Sequence, residues 1–187
     1  LWVCPSWQEP PEPNAVNIML DPGLAFGSGS HATTSMCLQW LEKNIRDDST
    51  VIDYGCGSGI LAIAAALLGA ARVIAVDNDP QAITATIENA KRNNIPEGVI
   101  ETYLPNQLPD DPAALLSDIL VANILAEPLM QLAEDLSHLV KPQGQIALSG
   151  LLAEQADGLL EHYGSWFGMD KAVMSEEWAR LSGTRLN

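Results

Sequence analysis

Apolar positions along this chain follow two periods that take turns. Five short apolar runs, at residues 50–54, 72–77, 99–104, 118–122 and 145–149, have the length of buried strands. Helix-length segments separate them. Cys37, Leu41 and Ile45 lie four apart and predict a helix over 33–44, ahead of the first strand. Residues 58–68 are apolar nearly all round, which predicts a helix buried on every side. Ile83, Ile87 and Ala90 share a face of a helix that Asp79 caps, Pro80 opens and Asn93, Asn94 and Pro96 end. Leu125, Leu129, Leu132, Leu136 and Leu139 mark one continuous helix that stops before Pro142 and Gly144. A last helix is expected around 153–166.

Strands that alternate with helices predict a parallel sheet covered on both faces, and right-handed crossovers make it doubly wound. The tail breaks the alternation. Residues 169–176 and 178–186 are strand-like but too close for a crossover helix, so they predict an antiparallel hairpin at a sheet edge. The expected fold is therefore α/β: a doubly wound, mostly parallel, seven-stranded sheet with a C-terminal antiparallel hairpin. Residues 1–14 carry Pro5, Pro10, Pro11 and Pro13 and read as a linker, on which Trp2 and Trp7 are positioned to pack against the domain. The chain starts at Leu1 rather than Met, so the linker is expected to arrive from missing upstream sequence.

Composition narrows the function. The 187 residues are 47% hydrophobic, enough for one domain with a sizeable core. No apolar run reaches the ~18 residues of a membrane span, and no secretory pattern opens the chain. Nine Lys and Arg against 24 Asp and Glu leave a net charge of −15, which repels a phosphate backbone and suits a cationic partner. No direct nucleic-acid binding and no membrane partner are expected. Cys4, Cys37 and Cys56 form no CxxC pair, and His31, His138 and His162 show no HExxH spacing. Neither a disulfide framework nor a metal site is indicated, and a reducing cytoplasm is the simplest compartment.

In a doubly wound sheet ligands bind outside the carboxyl ends of the strands, so the strand ends are where chemistry belongs. The first carries Asp53-Tyr54-Gly55-Cys56-Gly57-Ser58-Gly59, a turn whose glycines let a ligand approach the backbone. Its spacing is GxGxG, with Ile60 where a dinucleotide fingerprint has its last glycine. The second end carries Asp77, an acid able to accept both hydroxyls of a ribose. Together they point to an adenosine-containing ligand. A nicotinamide dinucleotide needs its pyrophosphate held, yet no GK[ST] pattern or arginine occurs between Gly55 and Gly69. S-adenosylmethionine carries no phosphate and two cationic groups, which an acidic domain accommodates better. The third end is Asn123, after Val121-Ala122, read either as a ligand amide or as the cap of the next helix.

These segments resemble the class I S-adenosylmethionine-dependent methyltransferases, and most closely the catalytic domain of the ribosomal protein L-eleven methyltransferase family. The resemblance is carried by residues 20–27 with Gly29, His31, Thr33 and Thr34, by residues 53–64, by Val121-Ala122-Asn123-Ile124-Leu125 and by Glu176-Glu177-Trp178. Ser28, Ser30, Ala32 and Asn78 depart mildly from the family pattern. The resemblance implies cofactor contacts at Thr34, Gly55, Asp77 and Asn123, with Gly57 under the methionine part. It implies that Thr34 anchors the aminocarboxylate end and that the 21–31 loop closes with Phe26 as its lid. The implied reaction is transfer of methyl groups to lysine side chains and the terminal amine of a basic ribosomal protein, with Asn123 as the catalytic amide. His31 is read as structural rather than as a general base. The resemblance also implies that residues 1–14 link a missing N-terminal substrate-recognition domain to a methyltransferase domain over 15–187. Two alternatives stay open: a methyltransferase of another protein or small-molecule acceptor, and a cofactor-binding fragment inactive without its N-terminal domain.

Overall fold

The computed structural model describes residues 1–5, 7–21 and 31–187. In chain order its strands and helices are β1 (Trp2–Cys4), β2 (Asn17–Met19), α1 (Ala32–Asn44), β3 (Thr50–Tyr54), α2 (Ile60–Leu67) and β4 (Arg72–Val76). Then come α3 (Pro80–Arg92), β5 (Ile100–Tyr103), β6 (Ser117–Asn123), α4 (Ala126–Gln131), α5 (Ala133–His138) and β7 (Val140–Leu152). The chain ends with α6 (Ala156–Tyr163), β8 (Phe167–Met169), β9 (Val173–Ser175) and β10 (Trp178–Arg185).

The main sheet runs β5-β4-β3-β6-β7-β10-β8, with β9 also on β10. The five strands from β5 to β7 are parallel, as their alternation with helices requires. Strand order reverses between β3 and β6, which makes the crevice beyond their carboxyl ends the switch point. Pleating sends alternate residues to opposite faces. Val51, Ile119 and Val121 enter the core beneath α1 and α2, while Ile52, Leu120 and Ala122 enter the core beneath α4, α5 and α6. The same alternation puts Asp53 and Asn123 on the α1 side.

The tail forms the expected antiparallel hairpin, β9 against β10, and adds to it. Its second piece, β10, lies inside the sheet, antiparallel to β7. Its first piece divides into β8 and β9, which pair with opposite ends of β10 and together fill the seventh position across the sheet. The leucine helix bends at Leu132, where ψ is 1°, and divides into α4 and α5. Hydrogen bonds from Leu132 N to Pro128 O and from Leu136 N to Leu132 O cross the bend, so Leu129 and Leu136 still reach the core together. Pro142 and Gly144 fall inside β7, in an irregularity where Gln143 has φ +66°. Among the first residues, β1 pairs in parallel with β2 and Cys4 is buried. Trp2 and Trp7 do not pack down: they are 45% and 67% exposed.

Candidate functional site

The glycine turn is built by conformations that side chains resist. Gly55, Gly57 and Gly59 have φ of +82°, +54° and +80°. A Cβ on Gly55 would overlap Ile124 Cγ2, so the turn packs against the segment that follows Asn123. Gly55 N and Cys56 N both donate to Val76 O, at 2.7 and 3.0 Å, which pins the turn to the end of β4. Asp77 closes it from the same side. One carboxylate oxygen accepts from Gly57 N at 2.9 Å and the other from Asp79 N at 2.9 Å. Asp79 caps α3 through Gln81 N at 2.8 Å, so Asp77 is left over the turn rather than at the helix end.

Asn123 does not cap a helix. Leu125 holds the N-cap position of α4, and the Asn123 Nδ2 donates across the crevice to Thr34 Oγ1 at 3.2 Å. Thr34 is buried in the first turn of α1, and Asn123 is half-buried at the end of β6. With its NH2 directed at Thr34, the amide has its oxygen left to accept, and no described residue donates a side-chain hydrogen bond to it. The structure thus brings Thr34, Gly55, Gly57, Asp77 and Asn123 to one edge of the sheet. Phe26 and the loop around it lie outside the described residues. His31 Nδ1 accepts from Thr33 N at 3.4 Å as the N-cap of α1, and its ring meets Trp178 edge-on at 4.8 Å. That is a structural role.

Three groups escaped the sequence reading. Asp53 is fully buried beneath the turn: Oδ2 accepts from Ala62 N at 2.9 Å in the first turn of α2, and Oδ1 has no partner among the described residues. Burial pushes its carboxyl up to about 7, against the pull of the Ala62 N–H. On α3, Thr86 Oγ1 donates to Gly57 O at 3.3 Å and Asn89 Nδ2 to Ser58 O at 2.8 Å, so the helix grips the turn from behind. Asn93, read as a helix stop, accepts from Met19 N at 2.7 Å and donates to Met19 O at 2.9 Å, which ties β2 to the same helix. The available signal was polar residues at helical spacing on an otherwise packed face. Cysteine chemistry is disfavoured here, because burial pushes the Cys37 thiol up to about 12 and raises Cys56 as well.

A reversed strand order, a glycine turn and an acid at the next strand end define a Rossmann-like, doubly wound fold with its crevice at the switch point. Residues 1–186 match the family model described as ribosomal protein L11 methyltransferase, and the chain belongs to that family. It is similar to ribosomal protein L11 methyltransferases of Cellvibrio japonicus, 54% identical over 185 residues, and Aliivibrio fischeri, 56% identical over 185 residues. Each alignment covers 99% of this chain and 62% of the relative, so the chain spans about three-fifths of their length. The crystal structure of a ribosomal protein L11 methylase from Lactobacillus delbrueckii subsp. bulgaricus superposes with a TM-score of 0.84 at 33% identity, covering 99% of this chain and 94% of that one.

Proposed function

We propose that the protein transfers methyl groups from S-adenosylmethionine to amino groups of ribosomal protein L11, both lysine side chains and the terminal amine. The observation that carries this reading is the Asn123–Thr34 hydrogen bond at the switch point, in a chain that matches the family model over almost its whole length. The residues fit the cofactor. A carboxylate has about four acceptor positions, and backbone N–H groups use one on each Asp77 oxygen, which leaves room for two ribose hydroxyls. The side-chain-free backbone at Gly57 admits the methionine part while Gly55 seats the turn against Ile124, and the Thr34 hydroxyl keeps its proton to donate to the carboxylate end.

When bound, S-adenosylmethionine supplies a methyl on a cationic sulfur as the electrophile. The chain's own work is to orient and neutralise the amine. A lysine of pKa ~10.4 costs about 4.6 kcal/mol to deprotonate at pH 7, and a terminal amine near ~8 about 1.4. Partial desolvation in the crevice lowers that cost. Asn123 Oδ1 accepts one amine N–H and aims the lone pair, so that positioning supplies much of the rate. His31 is committed to capping α1, and the proton leaves to water.

We assign residues 1–14 as the link from an upstream substrate-recognition domain and residues 15–187 as the methyltransferase domain. The compartment we assign is the cytoplasm: three free, buried cysteines suit it, and no described helix is long and apolar enough to cross a membrane. Incubating the protein that carries this chain with methyl-labelled S-adenosylmethionine and purified ribosomal protein L11 should label L11 and release S-adenosylhomocysteine in step. Label that reaches only small metabolites, or no acceptor at all, overturns the proposal.

A further inference from the structure

α4 and α6 start from the carboxyl ends of neighbouring strands, β6 and β7, so their first turns rise at the edge where the site opens. Between them runs an open groove of about 520 Å³ floored by Ala126, Met130 and Leu159 and flanked by Glu127 and Gly158. Apolar surface is uncovered on its floor and at the residue that precedes it in the chain. Leu125, two residues past Asn123, is 68% exposed, and Met130 is 39% exposed. Such a strip on a soluble surface marks a contact.

The surrounding charge selects the occupant. Helices α4, α5 and α6 hold Glu127, Glu134, Asp135, Asp157 and Glu161, all exposed, and neither Lys nor Arg. A nucleic acid would be repelled. A second copy of this chain would set acid against acid. A lysine-rich segment satisfies both features at once, since the long stems of its side chains lie on apolar surface while their heads reach carboxylates.

We infer that this groove docks the segment of the protein substrate that flanks the target amine, seating one apolar side chain between Met130 and Leu159 and basic residues along the rim. The inference rests on the protein-methylation reading above. It extends the site from the single amine held at Asn123 to the chain on either side, so acceptor affinity and chemistry become separable.

Gly158→Trp tests it with little risk to the fold, because a Cβ there meets no atom within 4 Å and the indole would fill the groove. A second variant, Glu127→Lys with Asp157→Lys, reverses the rim. In the full protein, with ribosomal protein L11 as acceptor, each should raise the acceptor KM by about tenfold. Both kcat and cofactor affinity should stay within about twofold, because neither residue touches the reacting groups. The wild-type KM should also climb with salt from about 50 to 300 mM, and the reversed variant should lose that climb. An unchanged acceptor KM in both variants overturns the docking site while leaving methylation intact. A wild-type dimer that Gly158→Trp splits in sedimentation overturns it too, by making the groove a self-contact. Absence of methyl transfer by the wild type overturns the reading beneath it, an outcome distinct from either.

Discussion

Replacing Asp53 with Asn should stabilise this protein, and the gain should grow with pH. Asp53 is wholly buried under the glycine turn, with no partner for Oδ1 among the described residues. The Ala62 N–H and the start of α2 favour its charged form, but burial outweighs them and raises the carboxyl from 3.8 to about 7. Because the folded value lies above the unfolded one, the folded chain holds more protons between about pH 4 and 7. The contribution of this group to stability is therefore complete below the unfolded pKa and is lost as pH rises through the folded one. At about 1.4 kcal/mol per pH unit, the ionised carboxylate costs the fold about 4 kcal/mol above pH 7. Asn keeps the shape and an oxygen for Ala62 N–H while removing the charge. Urea unfolding followed by circular dichroism should show Asp53→Asn more stable by about 2–4 kcal/mol at pH 8. At pH 5 the gain should shrink to about 1–2 kcal/mol, since most of the carboxyl is then protonated in the fold. A gain equal at every pH, or a loss at pH 8, would refute the argument.

Asp77→Ala should weaken S-adenosylmethionine binding by ~2–4 kcal/mol, because two hydroxyls lose a charged acceptor and the Gly57 and Asp79 N–H groups are released with it. Calorimetry that finds less than about a twofold change would remove Asp77 from the site. Asn123→Ala should lower kcat by about tenfold or more while cofactor affinity falls by less, since its oxygen acts on the acceptor nitrogen mainly toward the transition state. Wild-type turnover in that variant would leave the amide as a brace for Thr34 alone.

What the sequence disclosed depended on how local each signal was. β3 falls at 50–54 as expected, because a short apolar run between a turn and a glycine bend has one reading. In the fold, pleating puts Asp53 and Asn123 on a single face, which the strand runs alone did not single out. In the tail the antiparallel hairpin was legible and forms as β9 and β10, but spacing alone does not show that the second strand inserts beside β7 or that the first piece divides into β8 and β9. Trp2 and Trp7 misled for a related reason: apolarity argues for burial only where a partner surface exists, and here Cys4 and Ile18 occupy it. The least legible feature was the polar line Thr86, Asn89 and Asn93. Locally it weakens a helix and signals its end. Its value appears only against the backbone carbonyls to which these side chains donate: Gly57 and Ser58 on the turn, and Met19 on β2. Glycines give the turn the freedom to lie under a ligand and for the same reason do little to hold it there. Val76, Asp77 and the polar line of α3 supply that hold from three directions. The shape of the turn therefore belongs as much to β4 and α3 as to the glycine motif itself.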